Sequence, residues 1–232
     1  MHNIRSHKEL ADHIAGKRVL HMNSLGKDAA LSLEWLANYA HPSHIVSVHF
    51  SFIAKHPDDE RYLEYLRKRY PHVEFVVFPN ANEINILQAG LYQQPFEREQ
   101  FYMRWEHYDF ERMKQADEIQ KYMKLDFLCQ GQSKYESFAR AVRFYQRGLI
   151  DGDVIFPLGL MSKAEVWGLI KSSGLKLHPC YKMSKSTYDF PSYWKMRSAM
   201  IAYPDYAETV YKMYPMLALD KYRWEKLLND KT

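Results

Sequence analysis

The first 80 residues alternate between strand-like and helix-like patterning, and this alternation restricts the fold more than any other feature. Arg18-Val-Leu-His-Met22 is a compact apolar run. Lys27 to Tyr39 carries Leu31, Leu33 and Leu36 among several alanines, the spacing of a helix. His44 to Phe50 is rich in β-branched residues. Asp58 to Tyr70 is charged, with apolar positions at Tyr62, Leu63 and Leu66, and Val73 to Phe78 returns to strand composition. An order of β, α, β, α, β implies crossovers, and crossovers join parallel strands. The chain is therefore predicted to be α/β, with a parallel sheet of about five strands and helices on both faces.

The remaining strands are Leu125 to Cys129 and Val154 to Phe156. Helices are expected over Ile4 to Ile14, Asn82 to Gln88, Pro95 to Tyr122, Tyr135 to Arg147 and Ser162 to Ser172. In the last of these Ser162 and Glu165 have the spacing of a capping box. After Pro179 the chain is rich in Tyr, Lys and Pro up to about Tyr203. Helical pieces at Tyr206–Met213 and Ala218–Leu228 close it. We divide it into an α/β domain over residues 1–180 and a C-terminal aromatic and basic extension over 181–232, packing on that domain.

The chain of 232 residues has 2 Cys and a formal net charge of +4. Two Cys exclude a disulfide framework and a four-thiolate metal or iron–sulfur site. The mild positive charge suits an anionic substrate without implying nucleic acid. No apolar run is long enough to cross a membrane, and Met1 to Gly16 lacks the apolar core of a signal peptide. A cytoplasmic protein with no membrane partner is expected.

Chemistry concentrates in two segments that follow strands. In Asn23-Ser-Leu-Gly-Lys-Asp28 a strand runs through a turn straight into a helix. The backbone N–H groups of such a turn, with the helix dipole behind them, form an anion site. Gly26 permits close approach of a phosphate, Lys27 neutralises its oxygens and the Ser24 hydroxyl donates one further bond. A Walker A loop is excluded, since His21 and Asp28 occupy its Gly and Ser/Thr positions, and no Gly-x-Gly-x-x-Gly fingerprint is present. The second segment, Cys129-Gln-Gly-Gln-Ser-Lys-Tyr-Glu-Ser-Phe-Ala-Arg140, supplies Lys134 and Arg140 for phosphate or sulfate oxygens. In it Glu136 can orient an Arg or hold a metal ion. In a parallel sheet both segments lie at carboxyl ends of strands, where ligands bind.

Ser24-Leu25-Gly26-Lys27-Asp28-Ala29 resembles the Ser-Gly-Gly-Lys-Asp-Ser loop of the PP-loop ATP pyrophosphatases, with Leu25 and Ala29 as departures. The second segment resembles the Gly-x-Arg-x-x-Glu-Ser-x-x-Arg stretch of phosphoadenosine phosphosulfate (PAPS) reductase-like proteins at Gly131, Glu136, Ser137 and Arg140, with Gln132 as the departure. A third stretch is similar in the same order: Pro157-Leu158, a helix with Val166 and Trp167, and Pro179 to Tyr181. The resemblance implies a Rossmann-like (HUP-type) fold. It implies an adenine nucleotide, ATP or PAPS, with Mg²⁺ sharing the phosphate charge. The base would lie near His49 and Phe50, where Val48 to Phe52 departs from the family pattern. Binding is thus expected at Ser24, Gly26, Lys27, Asp28, His49, Phe50, Gly131, Lys134, Glu136, Ser137 and Arg140.

The reductases carry a catalytic Cys in a C-terminal Glu-Cys-Gly-type motif, and no Cys follows Cys180. Thiolating relatives use two thiols, and Cys129 and Cys180 stand beside motif segments. The catalytic candidates are therefore Lys27, Asp28, Arg140, Cys129 and Cys180. His41, His44 and His49 lack the spacing of a metal site. The aromatic and basic tail is read as a cap over the site, with a dimer surface as the alternative. Three functions stay open. The first is an enzyme that uses ATP to adenylate an acceptor (a small molecule or a tRNA or DNA base) or that acts on PAPS. The others are a nucleotide binder without chemistry and a nucleic-acid-modifying module.

Overall fold

The computed structural model describes residues 4–52, 54–80, 83, 112–184 and 193–229. In chain order the elements are α1 (His7–Ile14), β1 (Arg18–Met22), α2 (Lys27–Trp35), β2 (His44–Ser51), α3 (Pro57–Arg69), β3 (Glu74–Pro79), α4 (Arg112–Tyr122), β4 (Phe127–Cys129), α5 (Phe138–Arg147), β5 (Ile150–Asp151), β6 (Val154–Ile155), α6 (Lys163–Ser172), α7 (Cys180–Ser184), α8 (Tyr193–Ala202), α9 (Pro204–Met213) and α10 (Leu217–Asn229). The six strands lie in the order β3-β2-β1-β4-β6-β5. β1 runs parallel to both β2 and β4, and β4 parallel to β6. The α/β fold with a mostly parallel sheet is as the alternation predicted.

One strand was not foreseen. Ile150–Asp151 pairs antiparallel with Val154–Ile155 across a two-residue turn in which Gly152 has φ +64°. Glycine at positive φ suits such a tight hairpin turn, and two residues are too few for any periodicity to show. The expected helix at 82–88 and most of that at 95–122 lie outside the described residues, apart from α4.

Two compact units are present. The first comprises the described residues of Met1–Phe50, Leu63–Phe78 and Met113–Leu177. Successive strand residues point to opposite faces, and β1 shows this directly. Leu20 packs with Val46, Val48 and Leu128 against Ala116 and Ile119 of α4. His21, its neighbour, turns to the other face and meets α2 at Ala29 and Ser32. Residues 29 to 35 of α2 are all buried, as expected of a helix apolar around most of its circumference. Ala30 and Leu31 pack against Val166 and Ile170 of α6. α6 begins as expected, with the reciprocal Ser162–Glu165 capping box. Glu34, buried in α2, accepts hydrogen bonds from Tyr70 and from Arg69 Nε at 3.0 Å.

The second unit comprises the described residues of Ser51–Tyr62, Pro79–Arg112 and His178–Thr232. Its core joins Ala54 to Tyr193, Met196, Ala199 and Met200 of α8, Tyr206 and Val210 of α9, and Tyr214 and Leu217. α8 falls within the Tyr-, Lys- and Pro-rich segment, for which no helix was expected. Tyr193, Met196 and Met200 are spaced i, i+3, i+7, and burial of that stripe makes the helix. No described helix is long and apolar enough to cross a membrane.

Candidate functional site

The chain visits β1, β2 and β3 on one side of the sheet and then returns to place β4 on the other side of β1. Loops leaving β1 and β4 therefore diverge from a switch point, where open α/β sheets bind ligands. The register places His21 beside Cys129 on β4 and Ser47 on β2.

A buried polar network shapes the β1 loop. The Asn23 side chain donates to Ser47 Oγ at 3.2 Å and accepts from the Leu25 N–H at 3.0 Å. Ser47 Oγ lies 3.1 Å from His21 Nδ1, and His21 Nε2 lies 3.0 Å from the Ala29 carbonyl. A carbonyl only accepts, so Nε2 carries the ring proton and Nδ1 accepts from Ser47. Burial holds His21 neutral, pushing its pKa down to about 4 against a small opposing effect of the Ala29 bond. The network fixes Leu25 at φ +59°, a left-handed conformation rare for leucine. That is the position where the PP-loop pattern has its first Gly.

Gly26 is the N-cap of α2, and no side chain caps the helix. The Ala30 N–H already bonds the Gly26 carbonyl at 2.9 Å. The amides of the first turn, with the positive end of the helix dipole, are the donors such a loop offers an anion. Lys27 is the first residue of that turn. Its ammonium donates to the Asp28 carboxylate and to Tyr135 Oη at 2.8 Å, and Tyr135 donates to Asp28 Oδ1 at 2.7 Å. Burial pulls the Lys27 pKa down, but its bonds and charge attraction to Asp28 and Tyr135 outweigh this and leave it above an ordinary lysine. Burial is also the main cause of a raised Tyr135 pKa.

The β4 loop is held against the β1 loop by Gly131. A Cβ built there would stand 2.5 Å from the Asp28 carbonyl oxygen and 2.8 Å from the Ala29 nitrogen. Glycine is thus required for close approach of two backbones. The chain then makes a single 3₁₀ turn, Lys134–Glu136, in which the Ser133 N–H donates to Glu136 Oε2 at 2.9 Å. Glu136 also pairs with Arg140 Nη1 at 2.5 Å. Ser137 is the N-cap of α5, accepting from the Arg140 N–H at 3.3 Å. Lys134 lies over the Tyr145 ring, 5.9 Å from its centroid.

The other expected residues have varied settings. Ser24 is exposed, and its Oγ accepts from the Gly26 N–H at 3.4 Å. His49 Nδ1 bonds the Asn23 carbonyl at 2.9 Å, which ties the end of β2 to the β1 loop. Phe50 is buried in the cluster shared with α4. Cys129 is fully buried in the first unit, and burial drives its thiol pKa well up, only partly offset by the Ser32 hydroxyl. Cys180 is buried in the second unit, its Sγ 3.9 Å from His56 Nε2. Sequence reasoning had passed over His21, Asn23 and Tyr135 as participants. Nothing in their spacing marks them, because their partners come from other elements.

The sequence pattern of the phosphoadenosine phosphosulfate reductase domain matches residues 18–223. No protein of curated function matches the chain. Among solved structures, the U34-tRNA thiolase NcsA from Methanococcus maripaludis with its 4Fe–4S cluster shares 16% identity at a TM-score of 0.51, over 96% of this chain and 78% of that one. The phosphoadenylyl-sulfate (PAPS) reductase from Candida auris, a phosphate complex, shares 13% identity at a TM-score of 0.50, over 76% and 84%. These two likenesses concern the fold. With a domain pattern spanning most of its length and the two loops in the expected places, the chain belongs to the phosphoadenosine phosphosulfate reductase domain family of the PP-loop ATP pyrophosphatase superfamily.

Proposed function

We propose that the chain is an enzyme that binds ATP at the loops following β1 and β4, and cleaves it between the α- and β-phosphates to leave an adenylated acceptor. The observation that carries this reading is the approach of Gly131 to Asp28. It sets the β4 loop against the first turn of α2, which has no side-chain cap and has Lys27 beside it. The α2 amides and Lys27 would hold the leaving pyrophosphate, with Ser24 Oγ as a further donor. Asp28 and Tyr135 position Lys27 until phosphate oxygens compete for its ammonium. Arg140, steered by Glu136, and Lys134 add positive charge from the β4 side. Mg²⁺ bound with the nucleotide supplies charge neutralisation on the phosphates. His49 and Phe50 would border the base.

Sulfur transfer to the adenylated acceptor is the extension suggested by the thiolase, which is named for U34 of tRNA. That protein's 4Fe–4S cluster does not carry over as a four-thiolate site, since this chain has 2 Cys. The high thiol pKa of Cys129 gives it little thiolate for such a step, so adenylation is the part the loops support best. The second reading, a PAPS-using enzyme, draws on the family match itself.

Binding of ATP and of PAPS, with and without Mg²⁺, tests both readings on wild-type protein and Lys27→Ala. Binding of ATP that depends on Lys27, with pyrophosphate release when candidate acceptors are supplied, is the expected result. A clear preference for PAPS without pyrophosphate release selects the second reading. Binding of neither nucleotide overturns both.

A further inference from the structure

The second unit contains a cluster that the nucleotide reading does not use. His56 precedes α3, and His178 and Cys180 lie at the start of α7. Their side chains are buried, and their donor atoms lie within 4.8 Å of one another. Cys180 Sγ and His56 Nε2 are 3.9 Å apart. Tetrahedral zinc with ordinary Zn–S and Zn–N bond lengths places such atoms about 3.5 Å apart. That pair is thus within a few tenths of an ångström of ligating distance, and the third donor needs a larger adjustment.

We propose that His56, His178 and Cys180 bind one divalent transition-metal ion, with Zn²⁺ as the natural occupant. The donor set is two imidazoles and one thiolate, which suits a borderline-soft ion and leaves hard cations such as Mg²⁺ poorly served. Acidic groups stand behind both imidazoles. His178 Nε2 bonds Asp59 Oδ1 at 3.1 Å, so Nδ1 is the nitrogen that turns to the ion, exchanging its 3.2 Å bond from the Cys180 N–H. Behind His56, Nδ1 has the Asp58 N–H at 3.1 Å and the Asp58 carboxylate at 3.9 Å. With Nε2 on the ion, Nδ1 carries the proton, gives up its bond from the Asp58 N–H and turns to that carboxylate. Carboxylates placed behind ligating histidines fix the tautomer and raise ligand basicity.

The neighbours suit a charged centre with limited access to water. The Tyr62 ring stands edge-on to His178 at 5.2 Å, and the Tyr203 and Tyr206 rings edge-on to His56 at 5.5 and 5.2 Å. Asp58 is held by Arg61 and accepts from Tyr203 Oη at 2.9 Å. When the ion enters, the Cys180 thiol releases its proton to solvent and forms the metal–sulfur bond, and no redox change occurs. Three protein donors leave a fourth position, the pattern of zinc sites with an exchangeable ligand.

This proposal is independent of the nucleotide reading, because its test uses metal alone. Full-length protein purified without chelator is assayed for zinc per chain. It is then stripped and titrated with Co²⁺, and the thiolate-to-cobalt charge-transfer band is recorded. One equivalent of metal is expected, with a band that survives Cys129→Ser and disappears in Cys180→Ser. If Cys180→Ser does not fold, a band in Cys129→Ser, where Cys180 is the remaining thiol, supports the site. If stripping unfolds the chain, release of one zinc per chain as it unfolds supports it too. Absence of both copurified zinc and cobalt uptake by folded protein overturns it, as does a band that persists in Cys180→Ser.

Discussion

Gly131 and the peptide of Asp28 approach so closely that a single added carbon at Gly131 would lie 2.5 Å from the Asp28 carbonyl oxygen. The atoms in the way are backbone atoms at the start of α2, which cannot rotate aside as a side chain can. Gly131→Ala is therefore expected to push the two loops apart. We expect a loss of about 1–3 kcal/mol of stability, the usual cost of overpacking, and weaker nucleotide binding. Urea unfolding and calorimetric titration check the two effects, and an unchanged affinity would argue that the loops do not act together.

Lys27→Ala removes the ammonium that the first turn of α2 carries beside Asp28 and Tyr135. Charge-assisted hydrogen bonds contribute about 1.5–3 kcal/mol, so affinity for ATP should fall about 10- to 100-fold. Tyr135→Phe keeps the charge but loses the hydroxyl that bridges Lys27 and Asp28. Its effect should be smaller, about fivefold, and an effect as large as that of Lys27→Ala would mean that Tyr135 contacts the nucleotide itself.

Leu25 offers a test of backbone strain. Its side chain is 3% exposed, yet its φ is +59°. Leu25→Ala loses the buried side chain and keeps an unfavourable conformation. Leu25→Gly loses the same side chain but relieves the strain, about 1 kcal/mol. The glycine variant should therefore be the more stable of the two by about that amount in urea unfolding. The reverse order would show that the loop relaxes out of the left-handed region.

His21 should make stability fall on acidification. The unfolded chain protonates this ring near pH 6.5, whereas the folded one does so only at about 4. Between those values the unfolded state binds more protons, so stability is lost as pH falls from 6.5 and no further below 4. From pH 7 to pH 5 the loss is about 2 kcal/mol. Denaturation of wild type and His21→Asn at both pH values should show a pH dependence shallower by that amount in the variant.

Cys129 should resist alkylation in the folded protein, since it is fully buried with a raised thiol pKa. Iodoacetamide followed by peptide mapping should find it unmodified under native conditions and modified in urea. Rapid native labelling would show that the β4 end opens readily, and would restore Cys129 as a candidate for sulfur chemistry.

The amino-acid sequence by itself determined the α/β class, five of the six strands and the position of the loop that runs from β1 into α2. Those features are local, written in β-branched runs, in helical spacing and in the Gly26-Lys27 turn entering α2. The capping box at Ser162 and Glu165 was legible for the same reason, because a helix start needs its cap within three residues. Tertiary structure alone decided the rest. The β5 strand is defined by its partner and not by its two residues. The left-handed Leu25 depends on His21 of β1, Ser47 of β2 and Asn23 of the loop between β1 and α2. Tyr135 reaches Lys27 and Asp28 only because Gly131 lets the second loop approach. His56 meets His178 and Cys180 from more than a hundred residues away along the chain. Spacing cannot record such a meeting, since it is the burial of distant apolar segments, and not any local pattern, that carries those side chains together.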